Sequence, residues 1–145
     1  MMTGNLQSKV IEMIKSKHLE KEIKIVSAAD VKCVKEFIKT VWNEHVHSGI
    51  SAYLHDQFID HSMPYDFLQN KEGLLIYLKE MTARISHYTE ILEISRFHDF
   101  VFCKIRITAA EHSDNAATAD DPVIIEGYRL FKMHQNRIIA HWEMI

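Results

Sequence analysis

The feature that most constrains this chain is a change of period at Ser86. Before it, apolar residues recur at helical spacing. After it they alternate, most plainly in DFVFCKIRITAAEH, where Val101, Cys103, Ile105 and Ile107 fall on one side and Phe102, Lys104, Arg106 and Thr108 on the other. Helices first and alternating strands last exclude a helical bundle, which has no alternation, and a βαβ array, in which the two periods interleave. The remaining economical arrangement is an α+β domain with helices packed on one face of an antiparallel sheet.

The helical half divides in two. Val31, Val34, Phe37, Ile38, Val41, Trp42 and His45 form one continuous apolar stripe, with Ser27 and Asp30 spaced as a capping box and Gly49 placed as a left-handed stop. Asn70 caps a second helix whose inner face is Leu74, Leu75, Leu78, Met81 and Ile85. Between them ISAYLHDQ reads as a short helical turn and FIDHSMPYDF as irregular chain broken at Pro64. Beyond the alternating segment come a polar loop, HSDNAATADDP, and two more strands, VIIEGYRLFKM and RIIAHWEMI, joined by a tight HQN connection. Leu6, Val10, Met13 and Ile14 suggest a peripheral helix in an N-terminal extension over 1–26, leaving a main domain over 27–145.

A chain of 145 residues suits one core. With a net charge of -3 and no basic stripe, it is not expected to bind nucleic acid. Cys33 and Cys103 lie on different elements and read as buried thiols, which favours a reducing compartment. No run approaches the length of a membrane span or a signal-peptide core, so the expected location is cytoplasmic, with no membrane partner. Among 4 glycines there is no phosphate loop and no Gly-x-Ser-x-Gly elbow. His45 and His47 lack the spacing of a metal-binding helix, so neither a metal nor a cofactor is expected.

Four segments in order carry a family likeness: VWNEH at the end of the first long helix, SAYLHDQFIDHSMP, NKEGLLIYL opening the second, and the closing hairpin GYRLFKMHQNRIIAHWEMI. Over roughly 30–145 the chain resembles the SnoaL-like polyketide cyclases of the nuclear transport factor 2-like superfamily. The resemblance implies a cone in which a curved antiparallel sheet wraps a cavity and helices pack on its concave face. It also implies a homodimer, for which Phe102 and Tyr128 on the outer face are the expected contacts, and a small-molecule ligand. It further implies that FIDHSMP and HWEMI border one pocket.

The candidate residues follow from that pocket. Asp60 beside His61 could orient the imidazole as a general base, or Asp60 could cap a turn while His61 packs on Trp42. His141 and Glu143 share one face of the last strand and Trp142 the other; alternation alone leaves open which face meets the cavity. Where the cyclases carry Gly-Ile-Asp-Ile-Phe-Arg, with the aspartate as acid and base, this chain reads GYRLFK and places Arg129, which cannot shuttle a proton but can hold a carboxylate or enolate. Glu126 and Glu143 are its possible partners. His112 falls near a histidine that assists the family aspartate. Asp60, His61, Arg129 and His112 are thus the expected catalytic set, and Trp42, Tyr53, Tyr65, His141 and Glu143 the expected ligand contacts. Two functions fit: a cyclase or isomerase working by acid/base chemistry on an apolar or anionic organic molecule, or a non-catalytic ligand-binding or dimeric scaffold domain.

Overall fold

The computed structural model describes residues 28–112 and 121–145, so the N-terminal extension, the Ser27 cap and most of the polar loop lie outside the described residues. Helix α1 runs over 28–37 and widens into a π-type turn at Ile38–Asn43. A 3-10 turn at Ile50–Ala52 leads into β1 (Leu54–Asp60). Then come α2 (Lys71–Arg84), β2 (Ile85–Phe97), β3 (Phe100–Glu111), β4 (Val123–His134) and β5 (Arg137–Met144). The α+β class and the switch of period within one residue of Ser86 are as the sequence predicts.

The sheet order is β1-β5-β4-β3-β2, antiparallel throughout except that β1 pairs parallel with β5. The sheet is therefore mixed and open rather than wholly antiparallel, which corrects the sequence reading. The segment read as a helical turn and irregular chain is largely strand β1. Its period of two was hidden by a register shift between Leu54 and Ile59, which leaves a burial pattern with two exposed residues in a row.

The helix stripe packs as expected: Val34, Phe37, Ile38, Val41 and Trp42 are buried against Val101, Cys103, Ile105 and Phe131 of the sheet. The stop of α1 differs. The π-type turn uses up the helix early, with Glu44 N–H donating to the Lys39 carbonyl at 2.9 Å, and it is His45 (φ 58) that takes the left-handed conformation. The described glycines all have ordinary φ, so Gly49 is not the stop. At α2 the Asn70 side chain accepts from Gly73 N–H at 2.9 Å, the expected cap. Gln135 and Asn136, both with positive φ (53 and 60), make the two-residue turn between β4 and β5.

Candidate functional site

Parity along β4 and β5 builds the site. Gly127, Arg129, Phe131 and Met133 alternate onto the buried face of β4, and Arg129 stands directly across from Glu143 on β5. Glycine at 127 has a physical reason: a Cβ there would meet the Met144 carbonyl oxygen at 2.6 Å, because the end of β5 crosses it. On the other side of β5, the parallel register pairs Asp60 with His141. Period two then sends Asp60 and His141 inward and their neighbours His61 and Trp142 outward.

The partnership expected within FIDHSMP is therefore replaced by one between the two segments. Asp60 Oδ1 lies 3.1 Å from His141 Nδ1 and accepts from Ser62 N–H at 3.0 Å, with both acid and imidazole buried. His61 is exposed and stacks on Trp142, ring centroids 4.6 Å apart and 4° from parallel, instead of pairing with Asp60 or packing on Trp42. The segments are pinned together by His61 N–H donating to the His141 carbonyl at 2.9 Å and Glu143 N–H donating to Ser62 Oγ at 2.6 Å.

Arg129 is 1% exposed. Its Nε donates to Glu143 Oε2 at 3.0 Å, and its guanidinium carbon lies 4.1 Å from the centre of the Trp42 ring. Glu126 is not its partner: it points to the other face and pairs with Arg106 at 3.0 Å.

These groups line a cavity of about 210 Å³, roughly seven times the ~30 Å³ share of a liquid water. Asp60, Ser62, Met63 and Pro64 from one segment and His141, Glu143 and Ile145 from the other border it, and Arg129 sits in its wall. Much of the remainder is apolar: Met81, Ile85, Ile107, Ala109 and Ile125. Four lining residues each carry a buried polar atom with no protein partner among the described residues: Trp42 Nε1, Thr89 Oγ1, Arg129 Nη1 and His141 Nε2. One such atom costs about 1–3 kcal/mol when unsatisfied, so these four groups can bond to water or to whatever else fills the cavity.

Other expected contacts lie elsewhere. Tyr53 is outside the cavity, tilted against Phe37 in the core with centroids 6.2 Å apart. Tyr65 is 97% exposed, because the loop after Pro64 carries it away from the sheet. His112 is exposed at the end of β3, where its Nε2 lies 2.9 Å from the Thr82 carbonyl oxygen and fastens the strand to α2. Besides the apolar wall, three polar lining residues outside the two bordering segments were missed: Tyr77 on α2, and His87 and Thr89 on β2. The parity of β2, with polar His87 and Thr89 on its buried side, was the available signal. Burial, then the nearby Glu143 carboxylate, pushes the Tyr77 phenol up; burial, then His45 and Arg129, pushes the His87 imidazole down. Among the described residues no cluster of three or more His, Cys, Asp or Glu is placed to hold a metal, and no helix is long and apolar enough to cross a membrane.

No family model and no curated protein matches this sequence. Solved structures do. A candidate polyketide cyclase from Xanthomonas campestris superposes with a TM-score of 0.68 at 10% identity, over 81% of this chain and 90% of that one. A SnoaL-like candidate polyketide cyclase from Jannaschia sp. gives 0.64 at 10% identity over 82% and 86%, and an LEH-like epoxide hydrolase from M. tuberculosis gives 0.62 at 14% over 81% and 82%. The fold is that of the SnoaL-like polyketide cyclases. At these identities the likeness extends to the nuclear transport factor 2-like fold and no further, since one fold hosts many chemistries.

Proposed function

We propose that this SnoaL-like cavity is an acid/base site of the cyclase or isomerase kind, acting on a small, largely apolar organic molecule with an oxygen that gains negative charge during reaction. The observation that carries the reading is the Asp60–His141 pair facing a cavity that also contains Arg129. His141 Nδ1 is engaged by Asp60 while Nε2 has no protein partner, and Arg129 keeps one Nη1 without a partner in the same wall. In the tautomer that donates Nδ1–H to Asp60, Nε2 carries a lone pair and can take a proton from carbon, and Asp60 steadies the imidazolium that results. Arg129 Nη1 then meets the developing oxyanion. This assigns His141 the base role that the family pattern gives to an aspartate at the place of Arg129.

Ring opening of 5-nitrobenzisoxazole tests this with a single step. A base removes the carbon-bound proton, the C–H electron pair becomes part of a nitrile, and the N–O bond breaks to leave a phenolate. We expect acceleration over buffer, lost in His141→Gln and reduced about a hundredfold or more in Asp60→Asn, with Arg129→Met acting chiefly on KM. Wild-type rates matched by His141→Gln would overturn the catalytic reading. The alternative, a non-catalytic ligand-binding or scaffold domain, draws support from the partners Arg129 already has in Glu143 and Trp42. It predicts that anionic aromatic ligands raise thermal stability without any turnover.

A further inference from the structure

Beside the cavity three side chains from three parts of the fold meet. His87 on β2 lines the cavity and is buried, and its Nε2 lies 3.5 Å from Thr82 Oγ1 on α2. The same hydroxyl lies 3.4 Å from Nδ1 of His45, which is exposed at the end of α1. The two imidazoles are edge to face with centroids 5.1 Å apart. His45 is held in this position by the left-handed backbone (φ 58) with which it ends the helix. One hydroxyl with a ring nitrogen on either side, one ring in the cavity and the other in water, is the composition of a proton path.

We infer that His87, Thr82 and His45 form a relay that exchanges protons between the cavity and solvent, an inference that rests on the acid/base reading of the cavity. The transfer balances. A proton accepted by His87 at Nδ1 lets Nε2–H pass to Thr82 Oγ1, the hydroxyl proton passes to His45 Nδ1, and His45 Nε2–H leaves to water. Each group ends neutral and one proton has left the cavity; the reverse sequence imports one. Spacings of 3.4 and 3.5 Å are long for O–H···N bonds, and such contacts commonly tighten when a site is filled. The charged or titratable groups around His87 are His45 from α1 and Arg129 from β4, with His112 fastened to the Thr82 carbonyl. Burial, then His45 and Arg129, disfavour the charged form of His87, which suits a conductor rather than a store.

The test is the exchange of the His87 imidazole N–H with water, measured by nitrogen-15 NMR with saturation transfer on the unliganded protein. Thr82→Val keeps the side-chain shape and removes the hydroxyl; His45→Gln alters an exposed residue and should fold even if the first variant does not. Each is expected to slow exchange by about tenfold or more and to shift the tautomer balance of His87. Exchange as fast as wild type in His45→Gln, or in a folded Thr82→Val, would overturn the relay. The outcome is separable from the function reading, because exchange needs no substrate and the ring-opening assay depends on His141.

Discussion

Replacing Glu143 by leucine strands the Arg129 guanidinium, and the structure sets how costly that is. The Arg129 side chain is 2% exposed and that of Glu143 27%, so the two partners of one ion pair differ in their access to water. Removing one partner of a buried pair costs about 3–5 kcal/mol when the survivor cannot rehydrate. Arg129 is buried, and its contact with Trp42 at 4.1 Å is made before and after the substitution, so that contact drops out of the difference; the partial exposure of the pair on the Glu143 side puts the cost at the low end of that range. Glu143→Leu should therefore cost about 3 kcal/mol. Arg129→Met loses that ring contact, but Glu143 can turn to water and the unpartnered Nη1 disappears, so the net loss is about 1–2 kcal/mol. The double variant should fall short of the sum by about 1 kcal/mol or more. Urea unfolding followed by tryptophan fluorescence measures all three. Arg129→Met costing more than Glu143→Leu, or a double variant that is strictly additive, would refute an ion pair whose expense lies on the arginine side.

Asn70→Ala removes the cap on Gly73 N–H and should cost about 1 kcal/mol in the same assay, with Asn70→Asp retaining most of it. His87 and His47 are both pushed below the usual histidine value of 6.5, His47 by burial, then His45 and Lys79. The unfolded chain thus binds protons first, so stability should be fully present above about pH 6.5 and fall as pH drops below it, with a shallower slope in His87→Gln. Burial pushes the Cys33 and Cys103 thiols up to about 12, so native protein at neutral pH should react with iodoacetamide far more slowly than unfolded protein. On the outer sheet face Phe102 and Tyr128 stack with centroids 5.2 Å apart and Tyr128 is 40% exposed; if this face pairs two copies, Tyr128→Glu should convert a dimer to a monomer in light scattering, and a wild-type monomer would dismiss the pairing.

Local periodicity was enough to predict what depends on local order. The stripe from Val34 to Trp42, the Asn70 cap, the change of period near Ser86 and the HQN turn each follow from spacing, capping chemistry or turn chemistry within a few residues. Strand β1 does not, because its partner β5 is 80 or so residues away and a register shift erases its alternation. The pairing of Asp60 with His141 was equally illegible: 81 residues separate them, and only the parallel register of β1 on β5 turns Asp60 inward and its neighbour His61 onto Trp142. Sequence named part of the chemistry available to the cavity, namely Asp60, His141, Glu143 and an arginine that cannot shuttle a proton, but it missed His87 and added His61 and His112, which lie outside. Which of these touch is a matter of register between distant strands, and a slip of one residue would have turned every one of them to the other face.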